Sequence, residues 1–340
     1  MTYDDVLETA KKMGLSCRVC PDCNGLACRG EVPGVGAKGS GKSFTNCVNF
    51  LKSIDINLDA VYESHGQDTS CRMFGRTWSM PVFGAPVGGA VLNYKCQTMD
   101  DGALVSAQLS GALQAGTVAF TPDAPMGGFF EASIRALKEA GGVGIPTIKP
   151  WKNEKVLEKL RLAEDAGAIA AAMDVDSAGL INLKIMGTPV DPKSPQDIRE
   201  ITAATALPFF IKGVMTARAA LLCQDAGAEG IVVSSHGGRV LEDAPPTCSV
   251  LPELRAALGK DFKILVDGGI RSGADVFKAL ALGADGVLIG RPYTLAALAA
   301  GAEGVRLYFE KIRAALIDVM VMTGCGTLAD ITPDKVRLPK

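Results

Sequence analysis

The sequence predicts an α/β protein whose main body is a closed (β/α)8 barrel, the TIM-barrel architecture. From about residue 79 onward, eight short apolar runs alternate with alanine- and leucine-rich stretches of helical periodicity. Several helical stretches end in a glycine just before the next apolar run, as at Gly167 and Gly227, and glycine is a common helix stop. Eight such units favour a closed barrel, and an open doubly wound sheet is the alternative.

The predicted elements can be placed in order along the chain. The strands are residues 80–87, 116–121, 143–149, 168–176, 208–213, 230–235, 263–269 and 286–290. The clearest amphipathic helices are residues 101–115, 153–166, 216–226 and 272–282. We therefore divide the chain into a short cysteine- and glycine-rich N-terminal extension of helices and loops, residues 1–78, and a barrel domain, residues 79–340, on which the extension packs.

Composition argues against several classes of partner. Apolar residues make up 48% of the chain and charged residues 21%, as in ordinary globular proteins. The formal net charge of −2 gives no electrostatic reason to bind nucleic acid or an anionic membrane. The first residues lack the basic start and apolar run of a signal peptide, and no stretch is long enough to span a membrane. We therefore expect a cytoplasmic protein that acts on a small molecule.

The ends of the predicted strands carry an unusual set of polar side chains. Charged or titratable residues close six of the strands, namely Lys149, Asp176, Lys212, His236, Asp267 and Arg291. In a barrel these ends meet on one face, where barrel enzymes keep their active sites. The run 234–239 is the most informative, because it places a histidine beside two glycines and an arginine. A proton acceptor and a fixed cation are therefore expected at one strand end.

Two further segments predict a phosphate site. Residues 265–273 end the seventh predicted strand with two glycines and an arginine and then begin a helix. Residues 287–291 end the eighth strand with a glycine and another arginine. Backbone N–H groups at a helix start and guanidinium groups favour a phosphate dianion. In barrels the phosphate pocket commonly follows strands seven and eight, so the two segments together predict such a pocket.

From residue 210 to residue 331 the chain resembles the FMN-dependent 2-hydroxy acid oxidase and dehydrogenase family, which includes glycolate oxidase, lactate oxidase, flavocytochrome b2 and mandelate dehydrogenase. The matching segments are residues 211–216, 233–239, 266–273, 278–285, 289–292, 322–325 and 328–331. The resemblance implies an FMN-binding (β/α)8 barrel and an FMN-dependent oxidoreductase that oxidises a 2-hydroxy acid to the 2-oxo acid. It also implies a homo-oligomer and a carboxylate substrate, by analogy with the family.

Carried over position by position, the resemblance implies catalytic roles. His236 would be the base, while N5 of FMN accepts the electrons. Asp176 would orient the imidazole and favour its charged form. Arg239 would hold the substrate carboxylate through paired N–H groups. Lys212 would stabilise negative charge on the reduced flavin.

The resemblance also implies which residues hold FMN. The phosphate would lie against Asp267, Gly268, Gly269, Arg271, Gly290 and Arg291. The backbone of Ala85, Pro86 and Val87 would follow the edge of the flavin. The other members of the predicted cofactor site are Thr121, Thr147, Lys212, Ser234 and Gly238.

Two departures from the family leave the substrate open. Lys149 and Thr147 stand where the family has a tyrosine and a glutamine. No arginine follows Asp176 before Arg199, although the family has a second substrate arginine in this region. Lys149 could still anchor a carboxylate, and a surface role is the alternative. A second interpretation of the chain is therefore an FMN enzyme of another reaction class, an isomerase or a reductase, with an altered pocket.

The N-terminal extension contains four closely spaced cysteines, Cys17, Cys20, Cys23 and Cys28, in the pattern C-x2-C-x2-C-x4-C. Three interpretations are open. The cysteines hold an iron–sulfur cluster that passes electrons from FMN to a carrier, they hold a structural metal, or they bind no metal. We favour the last, because the family has no such element.

Residues 36–43 match the Walker A pattern, which would indicate a nucleoside-triphosphate-binding module. That pattern binds phosphate only where a buried strand delivers the loop and a helix receives it. The residues before it do not have the pattern of a strand. We therefore expect a glycine-rich loop near the mouth of the barrel.

Overall fold

The computed structural model describes residues 1–339 and confirms the predicted barrel. In chain order the strands are β1 Asp55–Ile56, β2 Cys71–Met73, β3 Arg76–Trp78, β4 Val82–Gly84, β5 Phe120–Thr121, β6 Ile145–Ile148, β7 Ala171–Asp174, β8 Phe209–Lys212, β9 Gly230–Val233, β10 Lys263–Asp267, β11 Gly286–Ile289 and β12 Val336–Arg337. Strands β4 to β11 pair in the order β4-β11-β10-β9-β8-β7-β6-β5. A parallel bridge between Gly84 and Ala119 joins the two ends of this sheet. The ring is therefore closed, and the open-sheet alternative is wrong.

Helices alternate with the barrel strands as the sequence predicts. They are α1 Tyr3–Lys12, α2 Lys42–Ser53, α3 Asp101–Gln114, α4 Phe129–Glu139, α5 Asn153–Asp165, α6 Ile181–Ile185, α7 Pro195–Ala203, α8 Ala217–Asp225, α9 Leu251–Leu258, α10 Gly273–Ala281 and α11 Arg291–Met322. Helix α11 is kinked at Ala300 and Gly301, where the backbone leaves the helical region. Helix α10 begins at a capping box in which Ser272 and Asp275 exchange hydrogen bonds, so its start is set by local sequence.

The apolar runs form strands because both of their faces are buried. In β9, Val232 belongs to the cluster inside the barrel, while Ile231 and Val233 belong to the cluster between the strands and the helices. Successive side chains on a strand point to opposite faces, so a strand covered on both faces needs an unbroken apolar run. The barrel interior is therefore a packed core, and ligands reach only its ends.

The N-terminal extension closes the amino-terminal end of the barrel. Strands β2 and β3 form an antiparallel hairpin whose turn carries Phe74. The Phe74 ring packs edge-on against Phe83, Phe120 and Phe210, with ring centroids 5.2 to 5.7 Å apart. The extension thus contains short strands as well as the predicted helices and loops. Its boundary at residue 78 stays a prediction, and the first barrel strand begins at Val82.

The extension is also tied to the other end of the chain. Strand β1 pairs with β12 in antiparallel register, with Asp55 opposite Arg337. No helix within residues 1–339 has both the length and the apolar character that a bilayer crossing requires.

Candidate active site

His236 stands at the carboxyl end of β9 in an uncommon backbone conformation. Its φ is +54°, in the left-handed region that side-chain-bearing residues rarely adopt. The Ser234 hydroxyl accepts a hydrogen bond from the His236 backbone N–H at 3.0 Å. Gly237 and Gly238 also have positive φ values, which glycine adopts without steric cost. This turn directs the imidazole toward the cavity that the strand ends surround.

The imidazole is paired with a carboxylate. His236 Nδ1 lies 2.9 Å from Asp176 Oδ1, and the side chains are 18% and 9% exposed. Burial alone would raise the pKa of Asp176, but the His236 imidazole and the Lys212 and Lys149 ammonium groups outweigh burial and hold the pKa below its usual value. An ionised Asp176 accepts the Nδ1–H of the ring. That leaves Nε2 as the proton acceptor of a neutral imidazole.

A second carboxylate, Asp174, lies beside this pair and escaped the sequence analysis. Its Oδ2 is 4.0 Å from His236 Nδ1 and 2.5 Å from Lys149 Nζ, which also donates to the Ser177 hydroxyl at 3.0 Å. Lys149 is therefore buried in an ion pair, and the surface role offered as its alternative is wrong. The signal for Asp174 was available, since it lies in the same predicted strand, two positions before Asp176.

Lys212 occupies the base of the cavity at the end of β8. Its ammonium group donates to Ser234 Oγ at 2.7 Å and lies 3.0 Å from Asp267 Oδ2. Burial alone would lower the pKa of Lys212, yet the carboxylates of Asp267, Asp176 and Asp174 together raise it. The lysine therefore provides a permanent positive charge at the buried end of the site.

Three half-buried arginines line the same cavity, and the N-terminal extension supplies most of the hydrogen-bond partners of their guanidinium groups. Arg239 donates to the carbonyls of Gly34 and Gly36 at 2.6 and 3.1 Å. Arg291 donates to the carbonyls of Val35, Gly36 and Gly237 at 2.7 to 2.9 Å. Arg271 donates to the carbonyl of Cys23 at 3.0 Å.

None of Arg239, Arg271 and Arg291 has a carboxylate partner in the part of the chain that the structure describes. Burial, helped by the neighbouring Arg291, lowers the pKa of Arg239 to about 10. Burial also lowers the pKa of Arg291. Buried cations without counter-ions are costly, so this arrangement favours anionic groups on a ligand.

The ring of Phe44, from α2, lies beneath two of these guanidinium groups. The Arg291 guanidinium is 4.1 Å and that of Arg271 5.3 Å from the ring centroid. Phe44 and Cys47 of the same helix also line the cavity. Sequence analysis missed both residues, because nothing in residues 42–53 indicates which part of the barrel the helix contacts.

Most of the predicted site residues line this one cavity. Five do not, namely Asp176, Thr121, Thr147, Ser234 and Gly238. Asp176 acts behind His236, and Ser234 joins Lys212 to the backbone of His236. Gly238 lies against the extension, where an added Cβ would come within 2.9 Å of the Phe44 backbone nitrogen. Its role in cofactor binding stays a prediction.

The four N-terminal cysteines do not converge on one point. Cys20 is exposed, and Cys17, Cys23 and Cys28 are half-buried free thiols. Among residues 1–339, no cysteine sulfur joins a group of three candidate ligand atoms within 4.8 Å of one another. The three interpretations of these cysteines therefore stay open.

The Walker-like segment is a loop at the barrel mouth, as expected. No strand precedes it; the Lys38 backbone N–H donates to the Gly238 carbonyl, and Lys42 pairs with Asp243 at 2.6 Å. With its lysine engaged on the surface, the loop lacks the geometry of a nucleotide-binding P-loop.

A closed barrel that gathers an imidazole–carboxylate pair and arginines without carboxylate partners at its carboxyl-terminal strand ends defines the class: an enzyme-type (β/α)8 barrel with a site for an anionic ligand. Comparison with known proteins narrows this class to one family. The family model described as FMN-dependent dehydrogenase matches residues 112–338. The chain belongs to this FMN-dependent dehydrogenase family.

Individual relatives agree with the family. An L-lactate oxidase of Alicycliphilus denitrificans is 49% identical over 138 residues, which are 41% of this chain and 38% of that protein. Glycolate oxidase 1 of Zea mays is 32% identical over 304 residues, covering 78% of this chain and 79% of that protein. The chain thus spans about two-fifths of the length of the two lactate oxidases that it matches, 38% of one and 40% of the other.

Solved structures are similar over nearly the whole chain. A mandelate oxidase crystallised with (S)-2-phenylpropionate has a TM-score of 0.80 and 27% sequence identity, covering 99% of this chain and 97% of that one. The N-terminal extension therefore belongs to a fold that these oxidases share.

The residues present fit FMN. Arg271 and Arg291, beside Gly269 and Gly290, offer cations to a phosphate dianion. The hydroxyls of Thr121 and Thr147 and one oxygen of Asp267 are buried without a hydrogen-bond partner. Such groups cost about 1–3 kcal/mol each unless a ligand satisfies them, and the polar edge of a flavin offers donors and acceptors at these strand ends.

Proposed function

We propose that this protein is an FMN-dependent oxidoreductase that oxidises a 2-hydroxy acid to the corresponding 2-oxo acid. The observation that carries the proposal is the 2.9 Å pair of His236 and Asp176, which opens into the cavity that also holds Lys212 and the three arginines without carboxylate partners. Nothing among the described residues or the similar proteins favours the isomerase or reductase alternative.

The chain supplies the base. His236 takes the proton of the substrate at Nε2, because Nδ1 is engaged by Asp176, and the ionised carboxylate stabilises the imidazolium that forms. Asp174 adds a second negative charge 4.0 Å away, and Lys149 offsets it. When bound, FMN accepts the two electrons that leave the hydroxyl-bearing carbon.

The chain also supplies the positive charges that the cofactor and the substrate need. Lys212 would stabilise the negative charge of the reduced cofactor, because its ammonium group is held at the buried end of the cavity by Ser234 and Asp267. Arg271 and Arg291 would hold the phosphate. Arg239 and Lys149 are the cations left for a substrate carboxylate.

Contacts with the N-terminal extension limit the orientations in which Arg239 can bind a substrate carboxylate. One of its terminal nitrogens already donates to Gly34 and Gly36, and the other lies 3.3 Å from the Asn93 side-chain oxygen. These contacts fix the plane of the guanidinium. The substrate carboxylate would then meet an oriented cation, which lowers the entropy cost of binding.

An anaerobic spectrum tests the proposal. We expect the purified protein to carry FMN and its flavin absorbance to bleach on addition of a 2-hydroxy acid, with one equivalent of 2-oxo acid formed. The matched control is the corresponding acid without the hydroxyl group, which should leave the spectrum unchanged. A flavin that no 2-hydroxy acid bleaches would contradict the proposed reaction.

Three further expectations stay predictions. They are a homo-oligomer, which rests on the resemblance; a cytoplasmic location, which rests on the lack of a signal-peptide pattern; and an electron carrier as partner, which rests on the cysteine group. Light scattering on the purified protein checks the first. Comparison of dioxygen with artificial carriers as oxidants of the reduced protein checks the third.

A further inference from the structure

The lining of the active-site cavity changes from polar to apolar along its length. At its inner end the lining side chains are polar and buried, with Lys149, Lys212 and Asp267 exposed by 9%, 3% and 7%. Leu92, Met126 and Met186 also line the cavity, but they are exposed by 44%, 38% and 38%, so they form its outer end. A ligand that fills the cavity therefore meets charge at one end and hydrocarbon at the other.

Three loops at the carboxyl ends of the barrel strands build this outer end. Leu92 follows β4, Met126 follows β5, and Met186 follows α6, which comes after β7. Phe129, Leu180 and Leu183 continue the apolar wall inward from these positions. None of the six belongs to the set of residues predicted to hold FMN, so this wall is available to the substrate.

Asp123, a charged side chain that also lines the cavity, is already satisfied. Asp123 accepts hydrogen bonds from Lys159 at 2.9 Å and from the Trp151 indole at 2.7 Å. Asp123 also accepts from the Lys149 backbone N–H. It therefore offers no unpaired charge to a ligand.

Partly exposed apolar side chains that are continuous with a reactive centre favour a ligand with an apolar part. We propose that the substrate is an aliphatic 2-hydroxy acid longer than lactate, whose carboxylate lies against Arg239 and Lys149 and whose chain packs on Leu92, Met126 and Met186. Methionine and leucine walls suit a flexible aliphatic chain, because methionine adapts its shape. The inference rests on the proposed function and adds the substrate class.

A series of 2-hydroxy acids of increasing chain length tests the proposed substrate class. The anaerobic rate of flavin bleaching is measured by stopped flow as a function of concentration for glycolate, L-lactate, L-2-hydroxybutyrate, L-2-hydroxyhexanoate and L-2-hydroxyoctanoate. Each methylene buried on the apolar wall should raise kcat/KM roughly three- to fourfold, from about 0.8 kcal/mol per CH2. A flat series, or one led by glycolate or lactate, overturns the inference and leaves the proposed function intact. No bleaching by any acid overturns the proposed function itself.

Neighbouring residues provide matched variants. Met186→Ser and Leu92→Ser remove apolar surface from the wall, whereas Ile185→Ser and Val91→Ser change exposed chain neighbours that do not line the cavity. The wall variants should lower kcat/KM for the hexanoate and octanoate analogues at least tenfold, with that for lactate changed less than twofold. The neighbour variants should leave the whole series unchanged.

Stability and assembly are measured on the same samples. Equal effects of wall and neighbour variants on the series would overturn the proposal. So would a wall variant that changes the oligomeric state by light scattering and leaves the series intact, because the apolar wall would then be an interface between copies of this chain.

Discussion

His236 combines a strained backbone with a defined set of hydrogen bonds. A left-handed φ on a residue with a side chain costs of order 1–3 kcal/mol and persists only where the surroundings impose it. Here Ser234 and Asp176 impose it through the backbone N–H and the ring Nδ1. The strain positions the ring over the cavity, which agrees with a role in proton transfer.

Replacement of this histidine separates chemistry from cofactor binding. His236→Ala should retain FMN, because Arg271 and Arg291 hold the phosphate, and should lose roughly 10²- to 10⁴-fold in turnover with the loss of the base. Bound flavin is measured by absorbance and turnover by anaerobic bleaching. His65→Ala is the control, since the His65 side chain is 80% exposed and far from any assigned role. Turnover unchanged by His236→Ala would falsify the assignment of the base.

Helix α2 is the element that couples the extension to the cofactor site. It packs directly on the glycine turn after β10. A Cβ on Gly269 would lie 2.6 Å from the Cys47 carbonyl oxygen, and one on Gly268 would lie 2.9 Å from Thr247 Oγ1. Gly269 is therefore needed for the packing of α2, and Gly268 for the close approach of Thr247, whatever both also do for the phosphate.

The cost of that packing can be measured against a matched glycine. Gly269 and Gly259 both have positive φ, 82° and 74°, but a Cβ on Gly259 would meet nothing within 4 Å. Gly259→Ala should cost about 1–2 kcal/mol from the backbone alone. Gly269→Ala should add about 1–3 kcal/mol for the clash with a backbone carbonyl that cannot rotate away. Thermal unfolding monitored by circular dichroism gives the two midpoints, and equal midpoints would contradict the packing role.

In the molecule as a whole, one end of the barrel is sealed by a hairpin and the other end carries the candidate active site. The hairpin of β2 and β3 seals the amino-terminal end with Phe74, and residues 34–44 of the extension lie over the carboxyl-terminal end, where Val35 and Phe44 meet the arginines. The seal that stabilises the barrel and the candidate active site thus lie at opposite ends. The sequence of the active-site loops can therefore vary without disrupting the core.

Removal of the aromatic seal tests this separation. Phe74→Ala should lower the stability by about 3–5 kcal/mol, because it leaves a void between Phe83, Phe120 and Phe210. Turnover per bound FMN below the transition should change little. Leu58→Ala is the control, since Leu58 is 74% exposed. Thermal midpoints and bleaching rates are compared on the same preparations; a normal midpoint for the Phe74 variant would show that the hairpin does not support the barrel.

The sequence analysis anticipated all eight barrel strands and the convergence of their ends. Strand β9 and the residues after it, for example, follow from an unbroken apolar run that ends in a histidine and two glycines. The pairing of His236 with Asp176 followed from the family resemblance, and Lys212 and Lys149 were recognisable as site residues. Asp174, Asn93 and Phe44 stayed unassigned, and burial contradicts the surface role that was the alternative for Lys149.

Local patterns were sufficient for the strands, the helix ends and the order of charged residues, because apolar periodicity and glycine conformation act within a few neighbouring residues. The contacts of the arginines were not accessible in this way. Gly34 and Arg239 are 205 residues apart, and Val35 and Arg291 are 256 apart. Such pairs form through backbone carbonyls, which carry no residue-specific signal, so only the packing of the extension over the closed barrel brings them together.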